Sequence, residues 1–87
     1  MVHRERFVVE MIYWAELRRL SLNAAAAHIA VVAFLEEAPV PWTDDQTLEF
    51  EGLVLAERIA LRAYSAFVDD PRQRPAVGQG LRLAAGE

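Results

Sequence analysis

The helix-forming pattern of the sequence is interrupted at one internal stretch, Ala38-Pro39-Val40-Pro41-Trp42-Thr43-Asp44-Asp45-Gln46. Proline lacks the backbone N–H of a helix and forces extended geometry on the residue before it, so residues 38–42 must leave the helix. Thr43 to Gln46 has the form of a capping box, in which the side chain of each end residue accepts a hydrogen bond from the other's backbone N–H. The stretch therefore predicts a helix end, a loop pinned by Trp42, and a new helix at Asp44.

The segment before this break favours helix throughout. It contains no glycine or proline, and most of its residues are good helix formers. Ser21 and Asn23 are suited to cap a new helix within it. We therefore favour two helices here, Arg4–Leu20 and Leu22–Glu37, over one helix through the whole segment.

The segment after the break predicts one more helix and a tail. The helix is expected from Asp44 to about Val68, because Pro71 stops it. Residues 72–87 contain a further proline and three glycines without a sustained period, which is typical of a flexible or extended tail. The predicted fold class is all-α: a three-helix bundle, or a helical hairpin plus a third helix. It forms one domain of residues 1–70, followed by a C-terminal tail of residues 71–87.

Composition excludes several kinds of chemistry. The 87 residues include no cysteine and only two histidines, His3 and His28, which do not have the spacing of a zinc site. The acidic pairs at 36–37 and 44–45 lack the spacing of a calcium loop and are explained by a helix end and a helix cap. No nucleophile–base pair, phosphate loop or pair of catalytic carboxylates can be identified. We expect a non-enzymatic protein without metal or cofactor, in which His28 is a core histidine with one hydrogen bond.

Charge and hydropathy limit the partners. All nine basic residues are arginine and the net charge is -4, so the chain gains no general attraction to nucleic acid or anionic lipid. The longest uncharged run, residues 20–35, is shorter than the roughly twenty apolar residues of a membrane-spanning helix. The N-terminus has no signal-peptide pattern, so we expect a cytoplasmic protein without a membrane span. Its richness in arginine and alanine suggests a bacterial or phage genome.

The helices carry more apolar surface than three helices can cover. On a wheel of 100° per residue, the helix after the break is apolar over most of its circumference, whereas a surface helix has an apolar stripe little wider than about 100°. Residues 24–35, with His28 as their one polar side chain, are expected to be buried almost all round. A monomer covered by its own tail and loop is the alternative to a homo-oligomer or a heteromeric helical complex.

The oligomeric interpretation predicts a protein–protein interaction module, such as an adaptor, a regulator or an antitoxin-like subunit. Its apolar helix surface is expected to dock onto the partner protein. The predicted partner interface consists of Phe7, Met11, Trp14, Ala26, Ala30, Ala33, Phe50, Val54, Leu61 and Val68.

Residues 20–31 read Leu-Ser-Leu-Asn-Ala-Ala-Ala-Ala-His-Ile-Ala-Val and resemble the first helix and turn of Cro/repressor-type helix-turn-helix domains. In this resemblance Ser21 caps the helix and Ala26 is the small packing residue. Ala30 replaces the usual turn glycine, and the segment that follows offers two carboxylates instead of base-reading side chains. The resemblance implies, as an alternative function, a degenerate helix-turn-helix DNA-binding regulator.

Residues 47–52 read Thr-Leu-Glu-Phe-Glu-Gly and resemble the inhibitory motif of small antitoxins that block Fic-type AMP-transferases. That motif is Ser or Thr, three residues, Glu, then Gly or Asn, and its glutamate obstructs productive ATP binding by pairing with an arginine of the toxin. The resemblance implies a Fic-type toxin inhibitor as a second alternative, with Thr47 and Glu51 as the functional pair, followed by Gly52. Residues i and i+4 do share one helix face.

Overall fold

The computed structural model describes the backbone of residues 2–73 and the side chains of residues 8–73. Within these residues it has two helices and no strand: α1, Val2–Glu37, and α2, Asp44–Asp69. The prediction of an all-α fold is confirmed. The prediction of three helices is wrong, because the segment expected to form two helices forms one. Most of the predicted tail lies outside the described residues.

The interruption expected at Ser21 or Asn23 does not occur, and both side chains are exposed in the middle of α1. Leu20 and Ala24 lie on either side of this point and are only 7 % and 8 % exposed, because both pack against α2. A turn between them would move one of them away from α2. Tertiary packing therefore favours the unbroken helix over the capping preference of the two polar residues.

The capping box at the start of α2 is confirmed. The Gln46 backbone N–H donates to Thr43 Oγ1 over 3.1 Å, and the Thr43 backbone N–H donates to Gln46 Oε1 over 2.9 Å. Asp44 and Asp45 lie in the first turn, where the helix dipole favours negative charge. The helix ends at Asp69, one residue beyond the expected Val68.

The two helices meet along one seam, which we define by residues that recur at alternating intervals of three and four. On α1 they are Tyr13, Leu17, Leu20, Ala24, Ala27, Val31 and Phe34. On α2 they are Gln46, Phe50, Leu53, Glu57, Ala60, Tyr64 and Phe67. All are buried or half-buried, and the mean interval of 3.5 residues is that of a coiled coil.

Ring contacts at both ends of the seam show that the helices are antiparallel. Tyr13 stacks on Phe67 with ring centroids 5.2 Å apart, whereas Phe34 contacts Phe50 at 5.7 Å next to the loop. The middle of the seam carries small residues instead, including Ala24 and Ala60. The seam therefore has aromatic rings at its two ends and small side chains at its centre.

Trp42 pins the loop to the hairpin, as the sequence predicts. Its indole Nε1–H donates to the Ala38 carbonyl oxygen over 2.8 Å, which satisfies a carbonyl group at the end of α1. Its ring lies 5.1 Å from that of Phe34 and 4.9 Å from that of Phe50. One side chain thus joins the end of α1, the loop and the beginning of α2.

The expectation that residues 24–35 are buried almost all round is wrong. Ala25, Ala26, Ile29 and Val32 are exposed, and Ile29 reaches 64 %. The physical reason is that α1 has one neighbouring helix in the described chain, so only the side that faces the seam is covered. Even in the seam, no described side chain is completely buried.

We predict that Ala60→Leu destabilises the hairpin by about 1–3 kcal/mol, because three added carbon atoms do not fit at the narrow centre of the seam. Ala60 is 4 % exposed, whereas Ala63 on the same helix is exposed. Ala63→Leu is the matched control and should change the free energy of unfolding by less than about 0.5 kcal/mol. Urea denaturation followed by circular dichroism measures both. Equal effects of the two substitutions would contradict the seam.

Candidate interaction surface

Apolar side chains cover much of the outside of the hairpin. Within the described residues, five hydrophobic side chains are buried and fourteen large ones are exposed. The exposed group occurs on α1, on α2 and in the loop: Val8, Val9, Met11, Ile12, Trp14, Leu22, Ile29, Val32, Leu35, Val40, Leu48, Leu55, Ile59 and Leu61. This distribution exceeds the scattered exposed hydrophobic residues that are normal on a monomer.

The predicted interface residues fall into several environments. Met11, Trp14 and Leu61 are exposed by 56 %, 55 % and 48 %. Val54 and Val68 are half-buried on α2. Phe50 is half-buried between Phe34 and Trp42, so the chain itself covers much of its ring. The side chain of Phe7 lies outside the described part.

The three predicted interface alanines do not share a side of α1 with Trp14. At 100° per residue, Ala26, Ala30 and Ala33 lie about 100° to 160° around the helix axis from Trp14. Ala26 is exposed, and the other two are half-buried beside the seam. The structure therefore divides the predicted interface between a bulky side and a small-residue side of the hairpin.

A pair of polar residues, His28 and Glu57, joins the two helices. His28 Nδ1 and Glu57 Oε2 are 2.7 Å apart, and the two side chains are 63 % and 21 % exposed. His28 was expected in the core, but it is exposed because it lies next to the seam and not within it. Glu57 cannot be identified as its partner from the sequence, since a helical wheel of one segment does not align it with another helix.

Glu10 is the second acidic residue that packs toward α2. It precedes Tyr13 by three residues and so continues the seam spacing of α1. Its Oε1 atom is buried and has no hydrogen-bond partner among the described residues. A buried carboxylate oxygen without a partner costs free energy. The seam is therefore not optimised for stability at this end.

Two further ion pairs lie on the surface. The Arg19 guanidinium donates hydrogen bonds of 2.8 and 2.6 Å to Glu16, and these bonds lower the pKa of the Glu16 carboxyl. At the end of α2, hydrogen bonds from Arg72 to the Asp70 carboxylate lower the pKa of Asp70. Both pairs are local in sequence and solvent-exposed, so each contributes little to stability.

The segments that resemble known motifs are both helical. Residues 20–31 lie within α1 without a turn, so the geometry of a helix-turn-helix is not formed. Thr47, Glu51 and Gly52 are exposed on α2, and the Thr47 hydroxyl donates to the Thr43 carbonyl oxygen over 3.1 Å. A Cβ atom on Gly52 would meet nothing within 4 Å, so no contact in the described chain requires a glycine there. The role in toxin inhibition stays a prediction.

The described part of the chain has no cluster of metal ligands but has one apolar helical span. The described residues contain no group of three or more His, Asp or Glu side chains that could hold a metal ion. By length and composition alone, the span Val8–Glu37 contains an 18-residue window, with a mean hydropathy of 1.3, that is apolar enough to cross a membrane. The core helix of a soluble protein passes the same test. The expectation of a chain without a membrane span stays a prediction.

Comparisons with known proteins give no relative: no family model, curated protein or solved structure matches the chain.

We predict that Glu57→Leu raises the free energy of unfolding by about 1 kcal/mol, because an apolar side chain fits the seam better than a partly buried carboxylate. Glu49→Leu, at an exposed position of α2, is the control and should change stability by less than about 0.5 kcal/mol. Urea denaturation measures both variants. A loss of stability in Glu57→Leu would show that the pair with His28 stabilises the hairpin more than apolar packing does.

We predict that Gly52→Ala stabilises the protein by about 0.5–1 kcal/mol, because alanine restricts the unfolded chain and favours helix. Open space around the position means that the added methyl group meets no steric opposition from the chain. Thermal and urea unfolding measure the change. A lower stability would indicate that another molecule approaches the backbone closely at this position.

Proposed function

We propose that the chain is a small non-enzymatic protein–protein interaction module, which docks onto another protein chain through the apolar outer surface of its helices. The supporting observation is the balance of exposed and buried apolar side chains. Within the described residues, fourteen large hydrophobic side chains are exposed and five hydrophobic residues are buried. Exposed apolar surface on this scale marks an interaction site.

An obligate partner is the kind of protein that would cover this surface. Obligate interfaces are more apolar than transient interfaces. A hairpin with fourteen large exposed hydrophobic side chains in its described part has the chemistry of one half of such an assembly.

The charge distribution supports a protein partner over a nucleic acid. The net charge is -4, and two of the exposed arginines, Arg19 and Arg72, are engaged by carboxylates of the same chain. Phosphate backbones are bound by clusters of free basic side chains. The module would act as an adaptor, a regulator or an antitoxin-like subunit, in a homo-oligomer or in a heteromeric helical complex.

The experiment is a measurement of mass in solution. We expect light scattering coupled to size-exclusion chromatography, in detergent-free buffer, to give at least twice the 9.8 kDa of one chain at micromolar concentration. Burial of the exposed apolar surface provides the driving force.

Two results would contradict this proposal. One is a monomer that unfolds cooperatively and shows no association at several hundred micromolar. The other is a chain that dissolves only in detergent, which would instead favour α1 as a membrane helix.

A further inference from the structure

The side of α1 that faces away from α2 carries a second set of residues with coiled-coil spacing. Its members recur at alternating intervals of three and four, as the seam residues do, and we call them the outer stripe: Val8, Met11, Ala15, Arg18, Leu22, Ala25, Ile29, Val32 and Glu36. At 100° per residue, the members from Arg18 to Glu36 lie within about 80° of one another, and about 150° around the helix axis from the seam. All members of the stripe are exposed.

Apolar side chains dominate the outer stripe. Every member except Arg18 and Glu36 is apolar, and Leu22, Ile29 and Val32 are exposed by 55 %, 64 % and 38 %. A heptad stripe of this kind is the surface that a helix presents to a neighbouring helix in a coiled coil. The pattern of α1 is therefore that of a helix with two neighbours on nearly opposite sides, and the described chain supplies one of them.

The two charged members of the stripe are opposite in sign and symmetrically placed. Arg18 lies nine residues before position 27, and Glu36 lies nine residues after it. Neither has an ion-pair partner in the described part of the chain. The apolar members between them are symmetric about the same position: Leu22 with Val32, and Ala25 with Ile29. From Arg18 to Glu36, the stripe is thus self-complementary in charge and in apolar character.

We propose that the outer stripe of α1 packs antiparallel against the outer stripe of a second copy of this chain, with a two-fold axis at the level of residue 27. This inference rests on the proposed function and names the partner. In the dimer, Arg18 of each copy pairs with Glu36 of the other, and the apolar pairs meet between these two contacts. The two hairpins then form a layer of four helices with the two α1 helices in the middle.

The charges select the antiparallel orientation. A parallel arrangement of the two α1 helices would place Arg18 beside Arg18 and Glu36 beside Glu36, and these pairs repel each other. An antiparallel arrangement at the usual interaxial distance of about 8–10 Å brings opposite charges together at both ends of the contact. Charge complementarity of this kind fixes the partner and the register of paired helices.

A second copy accounts for features of the stripe that other occupants do not explain. A two-fold interface requires a surface that is complementary to itself, whereas an unrelated helix needs no such symmetry. A lipid bilayer would place the unpaired guanidinium of Arg18 toward hydrocarbon, which costs free energy. In the dimer, by contrast, each Arg18 meets a carboxylate.

The first test is a charge reversal followed by sedimentation equilibrium. Glu36→Arg is expected to weaken the dimer about tenfold, because each variant dimer then has two Arg–Arg contacts. Arg18→Glu should weaken it similarly, and the double variant R18E/E36R should restore the dissociation constant to within about threefold. Glu37→Arg is the matched control, because Glu37 is also exposed at the end of α1 but lies about 100° around the helix from Glu36. Its effect should stay below about threefold.

The second test uses the absence of cysteine from the chain and examines the orientation. Positions 25 and 29 of opposite copies are level in the antiparallel dimer, whereas two copies of either position are about 6 Å apart along the axis. Facing Cα atoms of helices in close contact come within the roughly 4.4–6.8 Å that a disulfide needs. Mild oxidation of a mixture of Ala25→Cys and Ile29→Cys should therefore give chiefly the mixed dimer, which mass spectrometry distinguishes from both homodimers.

Several outcomes would overturn the inference. They are equal effects of Glu36→Arg and Glu37→Arg, a double variant that remains weakened, or cysteine homodimers that form as readily as the mixed dimer. If the unmodified chain still self-associates in these cases, the α1 contact is wrong and the interaction module stands. A folded monomer at every concentration, or a chain that dissolves only in detergent, would instead remove both the contact and the proposed function.

Discussion

The structure depends on one shared seam between two antiparallel helices. The buried hydrophobic residues of the described chain all lie in this seam: Leu20, Ala24, Val31, Phe34 and Ala60. Two helices can cover only the sides that they turn toward each other, so most of the other sides of each helix are open to solvent in the described part of the chain. This geometry explains why so much apolar surface is uncovered. A surface of this kind is typical of a subunit of a larger assembly.

The loop between the helices fixes where α1 ends and where α2 begins. Trp42 contacts Phe34 in the last turn of α1 and Phe50 in the second turn of α2, and the capping box of Thr43 and Gln46 fixes the residue at which α2 starts. Because the helix start is fixed, the register of α2 along α1 is fixed as well. The aromatic residues at the loop and at the open end then hold that register from both sides.

Helix ends and hydrogen bonds between near neighbours are predictable from this sequence. Packing between the two helices is much less predictable. The start of α2, its end within one residue and the role of Trp42 follow from prolines, caps and hydrogen bonds between near neighbours. The expected break at Ser21 fails because Leu20 and Ala24 both pack on α2, which a single segment does not reveal. The prediction that His28 is a core residue is wrong for the same reason.

The candidate interaction surface is likewise predictable from the sequence only in part. The apolar excess is visible on a helical wheel, but the wheel of one helix does not show which of its apolar sides faces the other helix. For this reason the sequence predicts Phe50 in the partner interface, whereas the structure places it in the seam.

The 3.5-residue interval of the seam has a consequence for the shape of the hairpin. A straight α-helix turns once in 3.6 residues, so two helices that keep a 3.5-residue contact wind around each other with a left-handed supercoil. The outward side chains follow this winding. A partner that keeps the same contacts along the whole hairpin must therefore wind with it, whereas a straight rod would meet only part of the apolar surface.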